Sequence, residues 1–445
     1  MKRVRLLFPL LLIASMIGCQ TAPTATPEPV SEVSSADMSI VQSQEPSYVS
    51  DSAPSSEPAV SQETPTVTIW CNAENKSILD AVKEYQKDKD FQIVVEEKGT
   101  VDYQKLKELT RTGQAPDIIC MDQVYITAAA NSGYLVELNP LGAEQIASQF
   151  TASCVEGVSV NGKLYGLPFD ANTVAMFYNK DILKVVNARV PTTYAELLTV
   201  CRKIQNQYDQ TITPYTVPFD GWNGNDNWCC YNFFTYLWRN GGEILTADQK
   251  AAAFQSDAGV QALQMYLELS KENYASAQYL HDDFTLGTVG MIDMGPWAFG
   301  NLIQNNDKFQ GEVALLPVLR EGIKPYSGLG LYGYCITSSS KLPEQAYGFI
   351  EYYTSNPQYQ LAYCKEANLL PTLKSAYADE YFSSDSWKTM LQQLEYAKAR
   401  PGVDHWTEIE NVIAKAITEA MKGKTEPKEI LASAAKKVND LLSAS

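Results

Sequence analysis

Between residues 66 and 122, short β-branched runs alternate with segments whose apolar residues recur at helical spacing, and this alternation narrows the architectures open to the chain. Val67-Thr-Ile-Trp70 reads as a strand, and Ile78, Leu79, Val82 and Tyr85 line one face of a helix from Ser77 to Tyr85. Phe91 to Val95 reads as a second strand, Tyr103 to Leu109 as a second helix, and Asp117-Ile-Ile-Cys120 as a buried third strand. Short helical crossovers between strands imply parallel pairing, so the expected class is α/β, with a parallel sheet covered on both faces. Sheets of this kind bind ligands outside the carboxyl ends of their strands. Asn72 and Glu74 in the loop after the first strand, and Asp122 after the third, are therefore the first ligand candidates.

Further along, Asn161-Gly162 forms a turn into a strand at Leu164-Tyr165, Pro168 is expected to stop that strand, and Val174 to Tyr178 forms another. Thr193 followed three residues later by Glu196 is a capping box that opens a helix. Helical patterns cover Pro343 to Tyr353, Ser386 to Lys398, Trp406 to Met421 and Pro427 to Leu442. In Gly290-Met-Ile-Asp-Met-Gly-Pro-Trp-Ala-Phe299 an apolar run breaks at Gly295-Pro296 and presents Trp297. An indole at such a break either caps a core or floors a cleft.

The first residues give an address. Lys2, Arg3 and Arg5 precede an apolar run from Leu6 to Ile17, too short to span a bilayer but suited to a signal peptide. Met16-Ile17-Gly18-Cys19 resembles a lipobox, so residues 1–18 are expected to be removed and Cys19 lipidated. Residues 19–65, rich in Ser, Pro, Thr and Glu, would form a disordered tether. A net charge of −17 disfavours nucleic acid and anionic lipid surfaces, which reward basic clusters. Eight cysteines follow Cys19 without the spacing of a compact disulfide framework, and Cys71 and Cys120 read as small buried residues. With His281 and His405 as the chain's two histidines and no CxxC near Cys229-Cys230, neither a metal site nor a cofactor is expected.

Several segments together resemble the extracellular solute-binding proteins of ABC importers, the family that includes maltodextrin-binding protein. They are TIWCNAEN, APDIICMDQ, ANSGYLVELNP, VNGKLYGLPFDANTVAMFYNKDIL, PTTYAEL, GTVGMIDMGPWAF, ALLP, SGLGLYGYCITSSSK, AYGFIEYYTSNPQYQ and RPGVDHWTEI, in the family's order from 66 to 442. The resemblance implies a type II, two-lobe periplasmic-binding-protein-like α/β fold, its discontinuous lobes joined by a hinge. Lobe 1 would comprise 66–172 and 317–355, and lobe 2 would comprise 173–316 and 356–445.

The resemblance also implies roles. Trp297 would stack on a sugar ring, whose axial-hydrogen face is apolar and buries well against a flat aromatic. Asp122, Asp170 and Asn172 would pair with hydroxyls from the first lobe, Glu74 lies near a contact position, and Arg400 would reach the cleft from the second lobe. Trp406 lies on the same segment, in a region of aromatic sugar contact. Trp222 and Trp228 share a polar loop where core packing rarely needs two indoles, so at least one is expected in the cleft, and glycines beside Tyr332 would let a ligand approach it. Where maltodextrin-binding members carry a Trp after the third strand, this chain has Met121.

The function so implied is capture of a carbohydrate, in particular an oligosaccharide, by a monomeric lipoprotein on the outer face of the membrane and its delivery to an ABC permease. Alternatives are a glycan-binding or sensor lipoprotein uncoupled from import, or a binder of a polyol or polyamine. An enzyme using Asp122 and Asp170 as a carboxylate pair is disfavoured, because no nucleophile elbow, metal cluster or phosphate loop accompanies them.

Overall fold

In the computed structural model, which describes residues 64–71, 75–99, 101–216, 227–272, 274–276, 281–300, 303 and 307–444, burial alternates along the strand Thr66–Cys71. That strand pairs in parallel with Gln92–Glu97 on one side and with Ile118–Asp122 on the other. The helices Lys76–Tyr85 and Tyr103–Thr112 make the crossovers. Asn75 and Asp102 start them by accepting the backbone N–H three residues on, as N-caps do, and Gly113 in the left-handed region ends the second.

Those pairings are parallel as expected, and the remaining pairings of this six-stranded sheet are antiparallel. Gly330–Ile336 lies between Ile118–Asp122 and Leu167–Asn172 and runs against both, and Leu370–Pro371 closes the edge. Gly330–Ile336 is the reversed strand, because there the chain re-enters this sheet from the second lobe, and so from the opposite end; Leu167–Asn172 runs the same way as Ile118–Asp122. Pro168 does not stop a strand; it lies inside Leu167–Asn172. A register shift between Tyr332 and Gly333, opposite that proline, accommodates the missing N–H.

The second sheet has the order Gly311–Ala314, Ala175–Asn179, Val289–Met294, Thr213–Thr216, Ala275–Ser276. One face is covered by the helix Asp385–Glu395, whose Trp387 stacks on Phe299 with ring centroids 4.1 Å apart. The other faces a layer that includes Tyr194–Tyr208, Asn227–Arg239, Asp257–Lys271, Trp406–Met421 and Pro427–Ser443, which share one apolar core. The capping box at Thr193 and Glu196 is formed.

The boundary expected at 355 is also corrected. Helix Pro357–Ala367 packs against Lys76–Tyr85, and Leu370–Pro371 belongs to the first sheet, so the first lobe keeps the chain through at least residue 371. Three crossings between the lobes gather at one place. Ser327–Gly328 pairs in parallel with Ala397–Lys398, Thr173 Oγ1 donates to Gly328 O at 3.0 Å, and Val174 N donates to Ser327 Oγ at 3.1 Å.

Candidate ligand-binding site

Register sets the first half of the site. Asp122 ends the strand Ile118–Asp122, Tyr332 lies opposite it, and Asp170 lies opposite Tyr332, so the three form one row across the sheet at the carboxyl end of the Asp122 strand. Asp122 does two jobs: its Oδ1 accepts from Val124 N at 3.1 Å, capping the helix Gln123–Asn131, and its carboxylate faces Arg400. Asn172, two residues past Asp170, lies opposite Gly330, where a Cβ would overlap its amide. The bare glycine makes room for that side chain.

Arg400 bridges the lobes. Its Nη2 lies 3.3 Å from Asp122 Oδ2 and 3.4 Å from Oδ1, while Nη1 lies 3.2 Å from Glu410 Oε1 on the helix Trp406–Met421. The Arg400 and Glu410 side chains are 15% and 8% exposed, so the attraction is only weakly screened. Burial works against the Arg400 charge, but Asp122 and Glu410 outweigh it and hold the guanidinium above its usual value. Burial pushes the Glu410 carboxyl up, and Arg400 opposes that push. Asp170 is 3% exposed, its Oδ1 has no hydrogen-bond partner, and burial, reinforced by Asp122, raises its carboxyl to about 7.

The aromatic half comes from the second lobe. Pro296 follows the strand Val289–Met294 and starts a single 3-10 turn, on which Trp297 is half-buried. Its ring folds back over Gly295, where a Cβ would fall inside the indole. Trp297 meets Trp228 edge to face at 5.9 Å, and Trp228 stacks on Tyr231 at 5.2 Å and 2° between planes. Tyr231 Oη donates to the hinge carbonyl Gly328 O at 2.6 Å, and Arg400 acts on its phenol electrostatically. Trp297, Trp228 and Tyr231 therefore lead from the Gly-Pro break to the Asp122–Arg400–Glu410 triad.

Of the sequence candidates, Trp297, Trp228, Arg400, Asp122, Tyr332, Asp170 and Asn172 fall along this line. Trp406 does not: at 3% exposed it packs on Phe234 in the helical core, because it begins an amphipathic helix whose inward positions are Trp406, Ile409, Glu410 and Ile413. Asn72, Glu74, Trp222 and Cys19 lie outside the described residues. Sequence reasoning missed Glu410 and Tyr231. An acid on the apolar stripe of the Trp406 helix was a legible signal for the first. For the second, the signal is the three-residue spacing from Trp228 on the helix Asn227–Arg239, whose first two residues the sequence assigns to a polar loop.

The arrangement offers an apolar aromatic surface beside charged groups from both lobes, which suits a ligand with apolar faces and hydroxyl edges. Among the described residues no cluster of His, Cys, Asp and Glu could hold a metal ion. The sequence profile of the family described as bacterial extracellular solute-binding protein matches residues 80–390. The chain belongs to that family. Among relatives of this solute-binding protein, a galactooligosaccharide-binding protein of Bacillus subtilis is 25% identical over 391 residues, covering 83% of this chain and 87% of the relative. The maltodextrin-binding protein MdxE of the same organism is 23% identical over 389 residues, covering 83% and 88%. The fold matches the crystal structure of a cyclic alpha-maltosyl-1,6-maltose binding protein from Arthrobacter globiformis, with a TM-score of 0.74 and 23% identity over 86% of this chain and all of that one. These relatives are binding proteins, and no helix among the described residues is long and apolar enough to cross a membrane.

Proposed function

We propose that this solute-binding protein captures an oligosaccharide between its lobes and delivers it to the transmembrane subunits of an ABC permease, while a lipid on Cys19 holds it at the outer face of the membrane. The observation that carries the reading is the half-buried Trp297, set edge-on to Trp228 on a path leading to acids of both lobes. A pyranose presents an apolar face and a polar rim. An indole buries the face, and Asp122, Glu410, Asp170 and Asn172 offer acceptors for hydroxyls that would each lose roughly 1–3 kcal/mol if buried unpaired. The names of relatives point the same way: galactooligosaccharide, maltodextrin and a cyclic maltosyl-maltose.

Delivery follows from the hinge. A ligand held by both lobes stabilises the arrangement in which they meet, and a permease that recognises that arrangement would engage loaded protein in preference to empty protein. The lipobox resemblance at Met16–Cys19 supplies the anchor, and two or more acyl chains are enough for stable attachment.

The test is a melting-temperature screen of the full chain against galactotriose, maltotriose, maltotetraose, inositol and spermidine. A ligand at 100 times its Kd adds about 2.7 kcal/mol of stability. An oligosaccharide is expected to give the largest upward shift, and Trp297→Ala is expected to abolish it while leaving the unliganded melt cooperative. A shift with spermidine alone would refute the carbohydrate reading.

A further inference from the structure

A second crevice between the lobes is not used by that reading. It has a volume of about 430 Å³ and is lined by Gln123, Thr127 and Ser159 of the first lobe and by Thr246 and Gln249 of the second, with Arg400 where they meet. Thr127, Ser159 and Gln249 also border an adjoining hollow of about 460 Å³, which adds the amides of Asn131 and Asn161. Trp297, Trp228, Tyr231 and Tyr332 line neither space. A larger cavity of about 840 Å³ lies wholly within the second lobe, between Asp257–Lys271 and the turn at Gly423–Pro427, and brings no residue of the first lobe to a ligand.

Hydroxyls and amides from five side chains share the crevice wall with the carboxylates of Glu156 and Glu243 and the indole of Trp238, groups that also suit a polyhydroxylated ligand. Of the cations there, Lys398 is taken up by Glu243 at 2.7 Å, and Arg400 is held by Asp122 and Glu410. Gln123 is the independent sign that something polar belongs here. It is 2% exposed, it begins the helix Gln123–Asn131, and its Nε2 has no hydrogen-bond partner. Such a buried donor is destabilising while unpaired. Gln123 itself lines the crevice, and its terminal torsion is broad, so the amide can reorient toward a ligand there. A hydroxyl suits an amide and a wall of hydroxyls, because it both donates and accepts.

We propose that this crevice is a second carbohydrate site, taking a neutral polyhydroxylated ligand of mono- or disaccharide size on Gln123 and Thr127 from one lobe and Gln249 from the other. It rests on the carbohydrate reading above only for the choice of probe. Its occupant ties the two lobes together, as the cleft ligand does. By linkage, whatever factor one ligand applies to the protein's affinity for the other is applied in return.

Equilibrium dialysis of the full chain with radiolabelled maltotriose, galactotriose, glucose and galactose tests this, using wild type, Trp297→Ala, and Trp297→Ala combined with Gln123→Leu or with Gln249→Gly. Gly suits the Gln249 backbone, whose φ is 57°, and residue 249 is exposed, so this variant serves if Gln123→Leu fails to fold. The expected result is two molecules bound per wild-type chain and one weaker, saturable class in Trp297→Ala, loosened at least tenfold by either added substitution. One molecule per wild-type chain, lost entirely in Trp297→Ala, overturns the second site and leaves the cleft reading standing. Binding indifferent to Trp297→Ala but weakened by Gln123→Leu or Gln249→Gly supports the crevice and sinks the cleft. Residual binding unaffected by both crevice substitutions, or no binding of any probe, overturns the proposal.

Discussion

Replacing Arg400 with leucine leaves two carboxylates facing each other across the lobes without their shared cation. The better-buried partner decides the magnitude. Glu410 is 8% exposed and cannot regain its hydration in place, so its cheapest relief is to take up a proton. At pH 7.5 that is three units above its ordinary value of 4.5, at about 1.36 kcal/mol per unit, so the relief costs about 4 kcal/mol and caps the loss. Removing one member of a buried pair typically costs about 3–5 kcal/mol, which agrees. At pH 5 the same protonation costs only about 0.7 kcal/mol. The sign follows from linkage. Glu410 already has a raised carboxyl in the folded state, and losing Arg400 raises it further, so the variant's deficit grows as pH rises and shrinks as pH falls. Asp122, at 20% side-chain exposure, stays partly hydrated and contributes less. For a domain of lobe size, about 3 kcal/mol corresponds to a fall in Tm of roughly 6–12 °C. Calorimetric melting of the full chain at pH 7.5 and pH 5 should therefore show a large deficit at the first and a small one at the second. Arg400→Leu combined with Glu410→Leu should recover much of the loss at pH 7.5, because the stranded charge is gone. An equal deficit at both pH values, or one under about 1 kcal/mol at pH 7.5, would mean that the triad does not hold the lobes as described.

Three further outcomes follow from the geometry. Gly295→Ala places a methyl inside the Trp297 ring, so the indole must swing away, and carbohydrate affinity should fall at least tenfold by titration calorimetry. Asp170 is protonated up to about pH 7 when folded, against 3.8 for the free carboxyl, so the stability it contributes declines as pH rises between these values. Asp170→Asn should then match wild type in Tm near pH 4 and exceed it at pH 8; a variant less stable at pH 8 would contradict this. The eight described cysteines are buried, and burial raises the thiols of Cys120, Cys201, Cys335 and Cys364. None of the eight should react with Ellman's reagent before unfolding, and all eight should do so after it.

What could be read from the sequence was whatever short-range chemistry fixes. The first three strands and two helices, the capping box at Thr193 and the span Trp406–Met421 follow from periodicity and caps, which act within a turn or two. The Gly-Pro break placed an indole just past the strand's end for the same reason, since Pro296 cannot continue the strand. Properties set by distant segments were hidden. Pro168 sits in a strand because the pairing with a partner more than 160 residues away skips Phe169, so that Pro168 and Asp170 face the successive residues Gly333 and Tyr332. Leu370–Pro371 is a strand only because Asp170 and Ala171 are beside it. Trp406 and Glu410 share one helix face, yet which of them meets the cleft depends on Arg400, a residue on the segment before that helix.

The interleaving of the lobes has a consequence for the order in which the protein can be made. The first sheet lacks its fourth strand in space until Ile336 has emerged and lacks its edge until Pro371, although its opening strand begins at Thr66. The second lobe in turn waits for helices that end at Ser443. Neither half is complete until most of the polypeptide has been synthesised, so a growing chain carries unpaired strand edges nearly to its end. The same topology that sets the two halves around one hinge thus makes folding wait for nearly the whole chain.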